Sequence, residues 1–355
     1  MLQTSIGYSR LAFLAAAALT AGLASSVSAQ YLMLVESTGD KVALLNRTDG
    51  SLVNLNFILE DNALYPMTTP KAAIQVDNEI WVSDQVNDVI YRFTASLTPT
   101  FIGAINTGLD NIRGIRYING VVYVCNSGTA NGAPGNAIIR YTPQGTLIDS
   151  FTSNISPFDV VAFNGNIVVG DSNVDDLTQY TFAGTFVNTV HNGNVTTGVH
   201  FPQQIHVFPT GPDNADEFWV AGFSPPFGIY RISASGAIVN RYITPSAPRG
   251  LYPLDNGNWV YTDGVSMRSV NLANPSAATI VISGISGQYI SPLDLSTCPV
   301  CPADYNQDGG VTGDDIAVFF ADFEAGSGCA DTNIDGGITG DDVATFFIAF
   351  EAGGC

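Results

Sequence analysis

The sequence predicts an all-β fold, a six-bladed β-propeller, followed by a small α-helical domain at the C-terminus. Three observations support this prediction. Short strands recur in six units of roughly 40–50 residues, the length of a four-stranded blade. The first unit lacks one strand, and a candidate for that strand stands at the far end of the body. After the body, one motif with a helical pattern occurs twice.

Residues 1–29 have the features of a secretion signal. Arg10 precedes an apolar stretch over residues 11–23, and small residues at 27–29 fit a cleavage site. The apolar stretch is too short for a comfortable membrane span. We therefore expect a secreted or cell-surface protein that begins near Gln30 and has no membrane span in its mature chain.

Composition and charge argue against nucleic acid as a partner. The 355 residues carry a formal net charge of −20 and only 12 Lys and Arg, whereas phosphate binding needs a basic stripe. Residues 298–355 are acidic and contain no Lys or Arg. Because like charges repel, we expect the folding of this segment to be coupled to cation binding. The length and the charge asymmetry predict a propeller over 30–297 and a second domain over 298–355.

The strongest strands of the body each run into an acidic or small turn. They are YLMLVES (31–37), EIWVSD (79–84), VVYVCN (121–126), NIVVGD (166–171), EFWVAG (217–222) and NWVYTD (258–263). A second strand and then an outer strand follow, separated by Gly, Asn and Pro, which is typical of all-β proteins.

Each later unit also has a strand before its strongest one, and these strands start at residues 72, 114, 159, 204 and 250. The first unit has none, and YISPLDL (289–295) is the candidate that replaces it. A ring that pairs its last strand with its first leaves no open edge. We predict six blades closed between residues 289–295 and 31–37, with five or seven blades as alternatives.

The segment IWVSDQVNDVIYRF (80–93) resembles an NHL repeat, and Arg140 and Arg231 recur at the place of Arg92. The other units match this pattern loosely. The resemblance implies a propeller that binds a protein, RNA or a small ligand on one face, and some related rings are enzymes. Fold alone does not decide among these functions.

Acidic residues that follow the strong strands form one candidate site. Carboxylates converging at one mouth of the channel could hold a metal or a sugar, whereas an Asp that merely closes an Asx-turn is the interpretation we favour. The residues are Glu36, Asp84, Asp171, Asp175, Asp176 and Asp263.

Three histidines, His191, His200 and His206, lie in one unit. Metal ligation by the last two is less favoured than ordinary surface or core roles. The Gly-, Asn- and Pro-rich loop 127–136 has the composition of a flexible excursion that could bind a ligand.

The duplicated motif at the end has the spacing of a calcium loop. A twelve-residue loop supplies hard oxygen ligands from places 1, 3, 5, 7, 9 and 12, and a glycine in sixth place permits the sharp turn. The predicted ligands of two calcium ions are Asp304, Asn306, Asp308, Gly310, Thr312 and Asp315 in the first loop, and Asp331, Asn333, Asp335, Gly337, Thr339 and Asp342 in the second.

One helix should follow each loop, because apolar residues recur at positions i, i+3, i+4 and i+7. Neither helix is long enough to be stable alone, so we expect the two aromatic stripes to pack against each other. The stripes are Ile316, Phe319, Phe320 and Phe323, and Val343, Phe346, Phe347 and Phe350.

Two calcium loops, each followed by a single helix, resemble the dockerin type I module over roughly residues 301–355. The resemblance implies a calcium-ordered domain that docks onto a cohesin-like or cell-surface partner. The family's partner contacts lie at loop places 10 and 11 and in the following helix. Here places 10 and 11 are Gly and Asp, and the helix has Phe320 and Ala321 where basic residues are usual. Cohesin recognition is therefore not implied.

Five cysteines fit an oxidising compartment. Cys125 lies in an apolar strand and is predicted to be a buried thiol. The other four frame the calcium repeats and suggest two disulfides, in which Cys329 and Cys355 each pair with Cys298 or Cys301. Other pairings, and a redox or zinc role for the CxxC motif at 298–301, are weaker alternatives.

These patterns lead to one hypothesis and one alternative for the propeller, and a third possibility is that the tail only stabilises the chain and recruits no partner. The hypothesis is a secreted, non-catalytic binding or attachment protein, with an unidentified ligand on the propeller and a calcium module for assembly or anchoring. The alternative is an extracellular lyase or hydrolase acting on a polysaccharide or lactone, with a catalytic propeller.

Overall fold

The structure is a computed structural model that describes residues 31–153, 156–193, 197–295, 301–306, 310–325, 328–333 and 338–354. These residues form two compact units, one within Ala29–Ser296 and one within Thr297–Cys355. The first unit consists of strands and the second contains two α-helices. Among these residues, no helix has the length and apolar character needed to span a bilayer.

The first unit has 24 strands, numbered in chain order. They are β1 Tyr31–Glu36, β2 Lys41–Asn46, β3 Leu52–Leu59, β4 Pro70–Val76, β5 Glu79–Asp84, β6 Val89–Thr94, β7 Phe101–Ile105, β8 Ile112–Ile118, β9 Val121–Asn126, β10 Ala137–Tyr141, β11 Leu147–Thr152, β12 Pro157–Phe163, β13 Asn166–Asp171, β14 Leu177–Tyr180, β15 Phe186–His191, β16 Pro202–Phe208, β17 Glu217–Gly222, β18 Gly228–Ile232, β19 Ile238–Tyr242, β20 Leu251–Pro253, β21 Trp259–Thr262, β22 Ser266–Val270, β23 Thr279–Ser283 and β24 Gly287–Leu293.

These strands form six four-stranded antiparallel sheets, the blades of a propeller. From the channel outward, blade 1 is β24-β1-β2-β3, and blades 2 to 6 take the remaining strands in groups of four in chain order. Blade 1 closes the ring, because β24 pairs with β1 and places Leu293 opposite Tyr31 and Ser291 opposite Met33. The predicted six blades and their closing strand are therefore confirmed.

The second strand of each blade is buried on both faces. In β5, for example, Ile80, Trp81 and Val82 are all inaccessible to solvent, since the neighbouring blades cover them. Both faces must then be apolar, and the strand appears in the sequence as a short continuous apolar run. The outermost strands, such as β11 and β15, are largely exposed.

Five of the six innermost strands begin two residues before their predicted starts. In β4, Pro70 pairs with Asp84 and Ala72 pairs with Ser83, so Lys71 forms a β-bulge. The same irregularity follows the first residue of β8, β12 and β16 and the first residue of β24. A bulge redirects a side chain away from the normal alternation of the strand.

Two arginines of the NHL-like pattern, Arg92 and Arg140, connect neighbouring blades. Arg92 lies opposite Trp81 and forms an ion pair with Glu79 at 2.7 Å. It also donates to the Gln144 carbonyl of the next blade at 2.9 Å. Arg140 repeats this arrangement by pairing with an aspartate of its own blade and donating to a carbonyl of blade 4. These arginines are part of the framework.

The second unit contains α1, Gly313–Ala325, and α2, Gly340–Ala352. Phe319 and Phe346 are fully buried, and their rings stack with centroids 4.1 Å apart and planes 3° apart. The remaining members of both stripes pack around this pair and Tyr305. The predicted helices and their mutual packing are confirmed.

Candidate functional site

The predicted acidic residues lie at one end of the propeller channel, which we call the mouth. In five of the six blades, the first residue of the inner strand pairs with the last residue of the second strand. Pro70 is opposite Asp84, Pro157 opposite Asp171, and Gly287 opposite Glu36. The bulged residues and the predicted carboxylates therefore share this end.

These carboxylates bind backbone N–H groups of their own loops. Asp84 accepts hydrogen bonds from Val86 and Asn87 at 3.1 Å. Asp171 accepts from Asn173 at 2.7 Å, and Glu36 accepts from Thr38 at 2.9 Å. The interpretation as local turn formers is confirmed for these residues.

The same carboxylates also hold the segment that leads into each inner strand. Asp84 accepts from Thr68 N–H at 2.6 Å, and Asp171 accepts from Ser156 N–H at 2.9 Å. Glu36 accepts from Ser286 N–H at 2.9 Å. Each of these donors comes shortly before a bulged residue, so the carboxylates position the bulges.

In blades 5 and 6, the segments that lead into the inner strands are held by Asp175 and Asp263. Asp175 accepts from Phe201 N–H at 2.7 Å and contacts His200 at 3.0 Å. Asp263 accepts from Ser246 Oγ at 2.5 Å and from the Arg268 side chain at 2.7 Å. Burial alone would raise the pKa of Asp263, but its hydrogen bonds, including those from Ser246 and Arg268, outweigh burial and lower the pKa.

The remaining acidic candidate and the histidines do not form a metal site in the described part of the chain. Asp176 accepts from Gly193 N–H at 3.1 Å, and burial raises its pKa. His191 is buried and contacts the Gly236 carbonyl at 2.8 Å. No group of three or more His, Cys, Asp or Glu among the described residues is placed to hold a metal. The metal site that the enzyme alternative would use is not assembled there.

The loop 127–136 is tied down, contrary to the expected flexible excursion. Asn126 donates to the carbonyls of Gly128 and Gly135 at 2.9 and 2.7 Å. Asp110 accepts from Ala130 N–H at 2.6 Å. These bonds fix the two ends of the loop to Asn126 and its middle to Asp110.

Five bulged residues and Arg249 form a cluster that the sequence reasoning missed. We call it the mouth cluster, and its members come from the starts of all six inner strands: Lys71, Arg113, Phe158, Gln203, Arg249 and Gln288. Arg249 precedes the short strand β20, and its N–H donates to the Thr262 carbonyl at 2.8 Å.

Lys71 reaches across the channel. Its ammonium group donates to Gln203 Oε1 at 3.0 Å and to Gln288 Oε1 at 2.6 Å. Blade 2, which carries Lys71, lies opposite blade 5, which carries Gln203. The ammonium also lies 4.8 Å from the centroid of the Phe158 ring and 5.1 Å from that of Tyr289. Lys71 is therefore a buried cation at the channel axis.

Arg113 and Arg249 flank this lysine. The Arg113 guanidinium lies 4.6 Å from the Phe158 centroid and donates to Ser156 Oγ at 2.7 Å. The Arg249 guanidinium lies 5.3 Å from the centroid of Phe223. The buried Nε atoms of both arginines have no hydrogen-bond partner.

None of these three cations has a carboxylate within 4.0 Å among the described residues. Burial lowers the pKa of Lys71 well below 10.5, and repulsion from Arg249 and Arg113 lowers it further. Burial likewise lowers the pKa of both arginines. The mouth thus holds three cations that form no ion pair within the described residues, although Asp171 and Asp263 lie near enough to act on Arg113 and Arg249 electrostatically.

Aromatic rings continue the cluster toward solvent. Phe201 lies 5.2 Å from Phe158 and 5.6 Å from Phe223, measured between ring centroids. Phe201 and Phe223 are partly exposed. Phe201 has a φ of +52°, a left-handed conformation that is strained for a bulky residue.

Deeper in the channel, a second polar group connects three blades. Arg116 donates to Asp159 at 2.9 Å and to the Ile205 carbonyl at 2.7 Å. Burial raises the pKa of Asp159, and Arg116 opposes this change. His206 is buried against Phe208 with its Nε2 unpartnered, and burial, reinforced by Arg116, lowers its pKa. At the far end of the channel, a cleft of about 230 Å³ is lined by residues that include Arg116 and Tyr117.

In the helical unit, the two twelfth-place aspartates have matching surroundings. Asp315 accepts from Asn306 N–H at 3.0 Å and from Thr312 N–H at 2.7 Å. Asp342 accepts from Asn333 N–H at 3.2 Å and from Thr339 N–H at 2.7 Å. Both side chains are fully buried. Each aspartate thereby fastens places 3 and 9 of its loop to the first turn of a helix.

The remaining predicted ligands are only partly within the described residues. Asp304, Gly310 and Asp331 are described, whereas Asp308, Asp335 and Gly337 lie outside the described residues. The donor set is nevertheless suited to calcium, because carboxylate, amide, hydroxyl and carbonyl oxygens are the ligands that it prefers.

Cys125 is a buried free thiol, as predicted, and burial raises its pKa well above 9.0. Two of the four cysteines near the loops, Cys298 and Cys355, lie outside the described residues. The pairing of those four stays a prediction.

No family model and no curated protein matches the sequence. Among solved structures, the chain is similar to one chain of a nidogen–laminin complex, with 17% identity and a TM-score of 0.56 over 76% of this chain and 99% of that chain. A protein of unknown function from Bacteroides caccae matches with 14% identity and a TM-score of 0.52 over 75% and 99% of the two chains.

A putative 6-phosphogluconolactonase from Bacteroides uniformis matches with 11% identity and a TM-score of 0.51, over 73% of this chain and 84% of that chain. At these identities the likeness extends to the fold alone. The site must therefore be interpreted from the residues of this chain.

Proposed function

We propose that this is a secreted binding protein in which the propeller presents its mouth to a ligand and the tail binds two calcium ions for attachment. The observation that carries the tail assignment is the matched pair Asp315 and Asp342. Two buried carboxylates with the same backbone partners, each at the start of a helix, indicate two equivalent loops. The contact at the start of α2 is also a capping box with Thr339, so the support comes from the repetition of the arrangement in both loops.

The calcium ions would be held by the twelve predicted ligands, of which the structure describes nine. A bound ion would neutralise the repulsion among the acidic residues of the tail. The helices α1 and α2 should depend on this neutralisation, because each is short and their mutual packing joins the two loops. The tail is then ordered where calcium is abundant, as it is outside cells.

Attachment is the role we assign to the ordered tail. Its partner would be a protein at the cell surface or in an extracellular assembly. Asp314 and Asp341, at place 11 of the loops, are exposed, so a partner that recognises them would be basic. We further propose that Cys298, Cys301, Cys329 and Cys355 form two disulfides, which peptide mapping without reduction would identify.

Calorimetric titration of the full chain with Ca²⁺ tests the tail. We expect two ions per chain. Asp315→Asn and Asp342→Asn should each weaken one site by about tenfold or more, since a charged ligand contributes roughly 1.5–3 kcal/mol. Asp314→Asn is the matched control, because it removes the same charge from an exposed neighbour.

The titration has a clear contrary result. An absence of saturable Ca²⁺ binding by the wild-type chain would remove the assignment, as would two unchanged sites in the Asp315→Asn and Asp342→Asn double variant. For attachment, the fraction of protein held at the cell surface should fall in the double variant and in chelator but not in Asp314→Asn.

A further inference from the structure

The mouth cluster brings together three cations that form no ion pair within the described residues. The chain has 32 Asp and Glu for 12 Lys and Arg, and six described arginines have ion-pair partners. Lys71, Arg113 and Arg249 have none. Taking unpaired cations out of water is unfavourable unless an opposite charge is supplied. The arrangement therefore favours the binding of an anionic ligand at the mouth cluster.

The three cations are also held in place in advance. Gln203 and Gln288 fix the Lys71 ammonium, and Gln288 in turn donates to Ser37 Oγ at 2.9 Å. Ser156 fixes Arg113. Donors that are already oriented lose little entropy when they bind a ligand. The unpartnered Nε atoms of both arginines are further donors without a function in the fold.

The solvent side of the cluster is aromatic. Phe201 is held in its strained conformation by Asp175, and its carbonyl accepts from Phe223 N–H at 3.1 Å. Strain of this kind persists only when the surroundings enforce it, and it is concentrated at functional sites. The two partly exposed rings offer an apolar surface next to Arg249.

We propose that the mouth cluster binds an organic anion, with its carboxylate or phosphate group among Lys71, Arg113 and Arg249 and an apolar ring against Phe201 and Phe223. This inference rests on the proposed function in that the propeller is the binding body. It does not depend on the calcium module.

Binding should be measured by calorimetry on the full chain in calcium, with phenyl phosphate, benzoate, inorganic phosphate and neutral benzyl alcohol as probes. We expect saturable binding of the two organic anions, weaker binding of inorganic phosphate, and none of the alcohol. Added salt should weaken the binding of the organic anions, because it partly screens the attraction between their charge and the cations of the mouth cluster.

Arg249→Gln is the main variant, because its guanidinium forms no ion pair within the described residues and its Nε has no hydrogen-bond partner. The substitution should weaken the binding of phenyl phosphate by about 10- to 100-fold, which is the effect of losing one charged contact. Arg47→Gln removes the same charge at the end of the propeller opposite the mouth. It should change the affinity for phenyl phosphate by less than about twofold. Phe223→Leu should weaken phenyl phosphate by about two- to tenfold and leave inorganic phosphate unchanged.

Equal weakening by Arg249→Gln and Arg47→Gln would overturn the proposal, as would equal binding of phenyl phosphate and inorganic phosphate or no binding of any anion. Arg113→Gln serves if Arg249→Gln does not fold, and circular dichroism verifies folding. Calcium stoichiometry measured on the same samples separates the two assignments. Two bound ions without anion binding would contradict only this inference, and anion binding without calcium would contradict only the tail.

Discussion

The blade faces and the channel mouth treat positive charge in opposite ways. On the blades, Arg92, Arg140 and Arg231 each lie beside an aromatic residue and form an ion pair. At the mouth, Lys71 and Arg113 also lie against an aromatic ring, but no described carboxylate is within ion-pair distance. The blade arginines are thus held by ion pairs of the framework, whereas the mouth cations form none, which is the basis of our proposal that they bind an anion.

Removing a blade carboxylate should have the largest effect on stability. Glu217 is buried and accepts from Arg231 at 2.6 Å and from Thr210 Oγ1 at 2.7 Å. Glu217→Gln should lower the free energy of unfolding by about 2–3 kcal/mol, because it leaves Arg231 without its counter-charge. Urea denaturation measures this change. Glu79→Gln, at a more exposed pair, should cost less, and an equal or larger cost there would contradict the comparison.

Because of Lys71 at the mouth, the free energy of unfolding should change with pH in the alkaline range. The unfolded chain keeps the Lys71 proton up to about pH 10.5, whereas the native state releases it at a lower pH. Stability should therefore rise with pH between the lowered pKa of Lys71 and 10.5. The charged groups near it are Arg113, Arg249 and, with opposite sign, Asp159.

The Lys71→Met variant isolates this contribution. Its free energy of unfolding, relative to wild type, should be most favourable at neutral pH and should decline as the pH rises. A relative stability that stays constant with pH, or changes with the opposite sign, would show that Lys71 is not a desolvated cation. Anion binding by the wild type should weaken over the same alkaline range.

Removing an outer mouth cation should have the smallest effect on stability. Arg249→Gln eliminates a charge that has no ion pair, so the free energy of unfolding should change by less than about 0.5 kcal/mol. Urea denaturation of this variant beside Glu217→Gln compares both regions directly. A loss near that of Glu217→Gln would mean that Arg249 stabilises the fold as the blade arginines do.

The sequence was most informative where burial is two-sided. The strands β5, β9, β13 and β17 have the predicted bounds, since an apolar run flanked by turns has few other interpretations. The duplicated helices were predicted from their aromatic period for a similar reason. The closure of the ring was predicted because the first unit lacks an inner strand and a matching strand stands at the end of the body.

The mouth cluster was missed because a bulge breaks the period of two. A polar or charged residue at the bulge does not match the alternation, so the predicted strands began after it. One signal was available: Pro70, Pro157, Pro202 and Pro248 each stand immediately before a mouth residue. A recurring proline at the start of successive repeats marks where the chain enters the channel.

The carboxylates after the strong strands show the opposite limit. Their position at the mouth was expected, but their partners were not, because Asp84 and Asp171 reach residues that precede them by about fifteen positions. Pairing between strands brings those residues together, and spacing along the chain does not reveal it. Sequence reasoning therefore predicted which residues lie at this end of the channel, but it did not predict the cations of the mouth cluster.

Anomalous diffraction from a crystal soaked in bromide tests the central claim most directly, since the ion reports where uncompensated positive charge is accessible. We predict a bromide peak among Lys71, Arg113 and Arg249 and no peak at Arg92, Arg140 or Arg231. Bromide at the blade arginines, with the mouth empty, would contradict the account.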